Sequence, residues 1–426
     1  MDGKLATDVR RVARMRSPFL FDLDMTLVDS SKVAHLRAMR RWNDALQNLH
    51  KVRAFPFDPA PHTIPAKLMR MGHPVAIVTS SPETYAEAII ERFGIKCDVL
   101  VAYHDTEEHK PQPEPLTLAL KRLKTGAELV YHVGDHVDDI EASYHAGVTS
   151  VLAAWGAEDL AELSSSAPDI VLHDPGPLIV PMQLRRYGYV AERIVAGKKV
   201  CWHTGSSLLC EGDGEVIAAG RYFASADKRH GASELTDALL KFKHDDTPTR
   251  ELARILSLVL ESWYEDRPLV IASVPPKPKQ SRDRFAALFN ELEPLLPKGV
   301  RIVRDALTCV HEISNYKSLG RAARKEAVRG AYESAYTWRG QRILLVDDIH
   351  TTGSTVEACR AALLEDGAAE VRVFCFAKDQ HAFEAPEACP ECGMVLKVQT
   401  NRTDGSKFWG CSGYWTTQCP YKRPYP

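Results

Sequence analysis

Short apolar runs that stop abruptly at polar loops recur along this chain. Phe19–Phe21, Pro74–Val78, Tyr131–Val133, Val151–Ala153 and Ile170–Leu172 are of this kind. A run that is apolar at every position, rather than at alternate ones, belongs to a strand covered on both faces, as in a parallel sheet. Between the first two runs, Ser31–His50 has a helical period with Val33, Leu36, Met39 and Leu46 on one face. The proline-rich Phe55–Pro61 ends it. Pro175 and Pro177 mark a boundary. Beyond them Leu178–Ala196 reads as a connecting helix, and Lys198–His203 and Glu215–Tyr222 read as a small hairpin turning at Glu211–Gly214. Leu235–Phe242 and Glu251–Tyr264 read as helices, Pro268–Val274 and Arg301–Arg304 as strands. Ile343–Val346 is a further buried strand, followed by a polar loop and the helical pattern Val356–Leu364. Strands alternating with helices predict an α/β protein with parallel sheets.

The 426 residues exceed one ordinary core, so two or three domains are expected. Hydrophobic residues make up 45% and charged residues 26%, as in globular proteins, and the formal net charge of -2 provides no overall field toward nucleic acid or membrane. No apolar run is long enough to span a bilayer. The Arg-rich start lacks an apolar signal core and is interrupted by Asp2 and Asp8, so it reads as a solvated helix or tail. A cytoplasmic protein without membrane contact is the expectation. Six of the ten cysteines are scattered. The other four cluster near the C-terminus, which in such a compartment argues for a metal rather than disulfides.

Three stretches carry candidate chemistry. In Asp22-Leu23-Asp24-Met25-Thr26, strand alternation sends Asp22 and Asp24 to one side, where two carboxylates can hold Mg²⁺ or divide nucleophile and acid roles. In Asp347-Asp348-Ile349-His350-Thr351-Thr352-Gly353-Ser354-Thr355, hydroxyls and a glycine precede a helix N-terminus, which suits a phosphate, and the two acids suit hydroxyls that donate to carboxylates. In the tail, the spacing Cys389-x2-Cys392-x18-Cys411-x7-Cys419 predicts a tetrahedral four-cysteine zinc site. Around it Lys397, Arg402, Lys407, Lys422 and Arg423 interleave with Phe408, Trp409, Tyr414, Trp415 and Tyr421. That mixture suits single-stranded nucleic acid, with docking to a protein as the rival.

The first domain resembles the haloacid dehalogenase superfamily of phosphatases. The likeness rests on Asp22-x-Asp24-x-Thr26, then Thr79 at the end of the second strand, Lys110 in a proline-rich loop, and Gly134-Asp135 with Asp138-Asp139. It implies Asp22 as the nucleophile that forms an aspartyl-phosphate and Asp24 as general acid and then base. It also implies Thr79 and Lys110 as ligands of the phosphoryl group, and Mg²⁺ held by Asp22, Asp24, Asp135 and Asp139. The helical insert after Asp29 stands where that family places a cap, here a small one.

The loop at Asp347–Thr355 resembles the PRPP (phosphoribosyl-diphosphate) loop of phosphoribosyltransferases, and residues 268–380 resemble their ComF type, including Arg329-Gly330-Ala331-Tyr332. Leu239–Asp245 is reminiscent of the same type. The likeness implies Asp347 and Asp348 on the ribose hydroxyls and Thr351, Thr352, Gly353, Ser354 and Thr355 around the 5′-phosphate. Lys277 and Lys279 at the end of the strand Pro268–Val274, followed by Arg282 and Arg284 at the start of a helix, are basic residues that would suit the pyrophosphate. The tail resembles the C-terminal zinc ribbons of type IA topoisomerases.

The expected architecture is therefore α/β, with two Rossmann-like parallel-sheet domains (1–177, a phosphatase with a small cap; 178–380, a phosphoribosyltransferase) and a zinc ribbon (386–426). The expected function is Mg²⁺-dependent phosphomonoester hydrolysis joined to PRPP-dependent transfer. Its partners would be PRPP or a nucleotide, single-stranded nucleic acid at the ribbon, and a protein partner or second copy. The alternatives are a nucleic-acid-binding accessory protein that uses the transferase fold as a scaffold, and a stress or phage-defence effector acting on nucleotides.

Overall fold

The computed structural model describes residues 16–125, 129–200, 206–211, 215–263, 268–278, 280, 282–310, 330–401, 403–414 and 416–426. The Arg-rich start, the turn at 212–214, Lys279, the basic stretch 311–329 with Arg329, Arg402 and Trp415 lie outside the described residues. The chain divides into two compact units, one ending at Gly188 and the other beginning at Tyr189. No helix among the described residues is long and apolar enough to cross a membrane.

The first unit is built on a parallel sheet of β1 (Phe19–Phe21), β2 (Val75–Val78), β3 (Val99–Val101), β4 (Tyr131–Gly134), β5 (Thr149–Ala153) and β6 (Ile170–Leu172), in the order β3-β2-β1-β4-β5-β6. β1 lies centrally, with Phe19 paired to Val75 on one side and to Tyr131 on the other. It is buried along its whole length, and its Phe19 ring stacks on Tyr131 at 5.1 Å. The strand order reverses between β1 and β4, and the carboxyl ends of strands at such a reversal form a crevice. Asp22, Thr79 and Asp135 follow the ends of β1, β2 and β4 and so converge there. β3 was not among the strands read from the sequence, although its run of three apolar residues is as long as those of β1 and β6.

Two expectations about helices change. Ser31–His50 is not one helix but short pieces, including Ala34–Ala38 and Trp42–Gln47, broken at Arg40 with a left-handed φ of 55°. Met39, expected on the apolar face, is exposed there. Leu178–Ala196 is also broken, into the 3₁₀ turn Gly176–Ile179, helix Pro181–Leu184, the short strand β7 (Gly188–Tyr189) and helix Val190–Val195. Pro181 has no N–H with which to continue a helix through that point. Leu178 and Leu184 pack into the first core, which carries the first unit past Pro177.

In the second unit come β8 (Ser206–Ser207), β9 (Leu209–Glu211), β10 (Val216–Ala218), β11 (Arg221–Tyr222), β12 (Leu269–Ser273), β13 (Val300–Ile302), β14 (Leu307–Cys309), β15 (Tyr332–Ser334), β16 (Arg342–His350) and β17 (Glu370–Asp379). The main sheet runs β13-β12-β16-β17-β10-β9, with β11 also on β17. β16 is central and parallel to β12 and β17, with Val346 opposite Ser273 and Phe374. The predicted strand Glu215–Tyr222 divides into β10 and β11. Both pair with β17, and the antiparallel neighbour of β10 is β9 rather than the expected Lys198–His203, whose residues 201–203 lie outside the described residues. Helices Glu234–Phe242 and Thr249–Trp263 lie where the pattern placed them, and Ser233 caps the first by accepting from the Thr236 N–H. The tail is an antiparallel sheet of β18 (Leu396–Thr400), β19 (Lys407–Cys411) and β20 (Lys422–Pro424).

Candidate active sites and metal centre

The crevice of the first unit is a cleft of about 860 Å³ lined by Asp22, Asp24, Arg37, Thr79, Lys110 and Asp135, among others. Lys110, from the proline-rich loop, places Nζ 2.6 Å from both Asp22 Oδ1 and Asp139 Oδ1. Burial works against its charge, but the carboxylates of Asp139 and Asp22 outweigh it and hold the ammonium well protonated. Asp139 also caps the helix Val137–Ala146, accepting from the His136 N–H at 3.1 Å. Thr26 donates to Asp135 at 2.7 Å.

Asp22, Asp135 and Asp139 each bring a carboxylate oxygen within 4.8 Å of the others, a set that could hold a cation. Burial, together with the nearby Asp139 and Asp24, pushes Asp22 up to about 7 despite Lys110, and burial and Asp22 push Asp135 up as well. A divalent ion among these three oxygens relieves that crowding, so the donor set fits an oxygen-ligated metal.

Asp24 stands apart from this set. It accepts from Ser81 Oγ at 2.8 Å and Tyr85 OH at 3.1 Å, and Arg37 lies 3.3 Å away. Asp24 was expected among the metal ligands too; the cluster of three close carboxylates is Asp22, Asp135 and Asp139, and Asp24 faces these donors instead. Ser81 lay within the strand-end motif, but no local signal in the sequence marked Tyr85 or Arg37. Thr79 is buried at the end of β2, where its Oγ1 accepts from the Ser81 N–H.

In the second unit Asp347 and Asp348 are both buried. Each accepts the next backbone N–H, at 2.9 and 2.8 Å. Arg284 donates to Asp347 Oδ1 at 2.7 Å and to Asp348 Oδ1 at 3.3 Å. Burial and the adjacent Asp348 push Asp347 up to about 7 in spite of Arg284. Asp348 Oδ2 is buried without a hydrogen bond, with Lys243 Nζ 3.7 Å off. Arg282 pairs instead with Asp246 and donates to the Phe242 carbonyl. Both arginines expected near a pyrophosphate thus hold carboxylate partners, Arg284 the acid pair and Arg282 Asp246.

The loop closes through Gly353 at φ 74°, where a Cβ would also fall 3.0 Å from the ring of buried His350. Thr352 and Ser354 place their hydroxyls 3.2 Å apart at the start of the helix Ser354–Glu365. Thr351 is exposed beside them and Thr355 half-buried in the first helical turn.

In the tail, Cys389, Cys392, Cys411 and Cys419 bring their sulfurs within 4.8 Å of one another, with Cys389–Cys419 at 3.7 Å and Cys392–Cys411 at 3.3 Å. A tetrahedral ion with bonds of about 2.3 Å to sulfur spaces its ligands by roughly 3.8 Å, so the cluster could hold one. Part of the basic and aromatic set meets partners within the protein. Trp409 is core, with Tyr421 and Tyr425 packed against it. Arg423 pairs with Glu387, and Lys407 donates to Asp237 and the Gly231 carbonyl. Tyr414, Lys397 and Lys422 remain exposed.

Residues 35–153 match the model of the haloacid dehalogenase-like hydrolases, and residues 251–402 match that of the phosphoribosyl transferase domain. The chain is 36% identical over 116 residues to a putative pyrophosphatase PpaX of Caldanaerobacter subterraneus subsp. tengcongensis, covering 27% of this chain and 53% of that one. It is 36% identical over 119 residues to the phosphoglycolate phosphatase of Xanthomonas campestris pv. campestris, with shares of 27% and 53%. With the N-acetylmuramic acid 6-phosphate phosphatase of Pseudomonas aeruginosa the identity is 32% over 131 residues, with shares of 30% and 57%. The chain thus spans about half the length of each of these relatives. Two matches on successive stretches, one for each unit, make this a chain that carries a haloacid dehalogenase-like hydrolase domain and, after it, a phosphoribosyltransferase domain.

Proposed function

We propose that the first unit hydrolyses a phosphomonoester through an aspartyl-phosphate and that the second transfers a phosphoribosyl group from PRPP. The observation that carries the first half is Lys110 bridging Asp22 and Asp139 beside Asp135. Asp22 attacks the phosphorus, and Lys110 with Thr79 offsets charge on the phosphoryl oxygens. Asp24, steadied by Ser81, Tyr85 and Arg37, gives a proton to the leaving oxygen and then takes one from the water that opens the intermediate. Asp22, Asp135 and Asp139 would hold Mg²⁺, whose charge favours the phosphoryl group's approach to a carboxylate. The four cysteines would hold Zn²⁺, which suits four thiolates.

The transferase half rests on Asp348 Oδ2, a buried acceptor without a hydrogen bond at a loop of hydroxyls and a helix N-terminus. A ribose hydroxyl would supply the missing donor, and Thr351–Thr355 would surround the 5′-phosphate. Calorimetry with PRPP and Mg²⁺ tests this in an Asp22→Asn background, where the ligand is not consumed. Each hydrogen bond to a charged acid contributes about 1.5–3 kcal/mol, so Asp347→Ala/Asp348→Ala should weaken binding by roughly tenfold or more. No binding by the background protein at about 1 mM PRPP, a level already weak for a substrate, would remove the transferase reading.

For the hydrolase a second substrate class deserves a direct comparison. Transfer from PRPP releases diphosphate, one relative is named a putative pyrophosphatase, and Arg37 and Arg40 line the cleft. Phosphate release should be measured side by side from diphosphate and from ribose 5-phosphate. A faster rate on ribose 5-phosphate keeps the phosphomonoester reading, and the reverse replaces it.

A further inference from the structure

The four-cysteine tail is packed onto its own unit at one place. The Val398 N–H donates to the Ser225 carbonyl at 2.8 Å. Tyr425 donates its hydroxyl to the Lys228 carbonyl at 2.6 Å, and its ring lies over Gly231, where a Cβ would fall 2.3 Å from it. Lys407 reaches the Gly231 carbonyl and Asp237 Oδ2, both at 2.5 Å. Asp237 is in the first turn of the helix Glu234–Phe242.

The other end of that helix meets the acid pair. Its C-cap residue is Lys243, 3.7 Å from Asp348. Phe242 packs edge-on against Phe285 at 5.6 Å, and its carbonyl accepts from Arg282. Between those two partners in sequence is Arg284, which binds both Asp347 and Asp348. One helix therefore sets the two cations that face the acids, directly through Lys243 and through Phe242 for Arg284.

We propose that the metal-bound tail is a clamp on the helix Glu234–Phe242, and that by holding this helix it positions Lys243 and Arg284 on Asp347 and Asp348. Lys407, one cation of the ribbon's basic and aromatic set, is thus taken up by this chain's own transferase domain. Lys243 and Arg284 act as positioning residues. They hold the two buried acids in place, and releasing the clamp loosens both. The effect on PRPP rests on the transferase reading, whereas the effect on the helix does not.

The full-length protein with its metal tests this in two variants that leave the cysteines intact. Gly231→Ala puts a methyl group into the space of the Tyr425 ring, and Lys407→Gln removes the charge that meets Asp237. Lys397→Gln, exposed on the same ribbon, is the control. Both docking variants should keep the wild-type metal content. Amide exchange over Glu234–Lys243 should be about three- to tenfold faster, as expected when a packed element opens more often. Their PRPP affinity should fall by a similar factor, and the control should match wild type. Wild-type exchange over the helix in both docking variants overturns the clamp, as does an equal rise in the control. Faster exchange with unchanged PRPP affinity overturns the link to the acid pair. If the wild type binds no PRPP, the transferase reading fails, and exchange alone still decides whether the clamp exists.

Discussion

Asp22→Asn is expected to lower Mg²⁺-dependent hydrolysis of an aryl phosphate by at least about a thousandfold, because the amide is a far weaker nucleophile and cannot form the acyl-phosphate that splits the reaction into two steps. The substitution is nearly isosteric at a buried position. Lys110 keeps Asp139 at 2.6 Å, so its ammonium stays paired and the fold should survive. The variant also removes one of the three carboxylates that crowd the cleft, so its melting temperature should not fall. Phosphate release and thermal melting, measured on the same preparation, separate loss of chemistry from loss of structure. A variant that keeps its rate would show that Asp22 is not the nucleophile.

Cys389→Ser/Cys411→Ser is expected to strip the tail of its metal and unfold it. The core there is small: beside the cysteines it has Leu396, Val398 and Trp409, with Tyr421 and Tyr425 packed on it. Domains of this size depend on a staple, and a structural Zn²⁺ site contributes about 10–16 kcal/mol of binding free energy. Bound zinc should drop from about one per chain to none. Trp409, now 4% exposed, should become solvated, and protease cleavage between β18 and β20 should become fast. The aryl-phosphatase rate should stay at the wild-type level. Zinc content unchanged in the double variant would rule out this ligand set.

Both strand-end motifs were legible because they are local. A buried run ending in Asp22-x-Asp24, or in Asp347-Asp348 before a glycine loop, states in a few residues both the strand and what its end presents. The cysteine spacing was legible for the same reason. Ser31–His50 was misread because helical period alone does not register a chain reversal, here taken by Arg40 at positive φ. The hairpin was read only in part: β10 does have a near antiparallel neighbour, β9, but nothing local in Val216–Ala218 shows that its other neighbour is β17, far along the chain.

What the sequence by itself determined is most of the buried strands, though not β3 or β17, their α/β class, and the polar groups carried at their ends. Periodicity and short-range spacing encode these directly. What only the tertiary structure decided is which charge meets which. Arg37, Ser81 and Tyr85 meet Asp24. Arg284 meets Asp347 and Asp348, and Lys407 meets Asp237. A long charged side chain can reach several partners. The one it takes is set by desolvation and geometry among residues distant in sequence, and no local pattern contains that information.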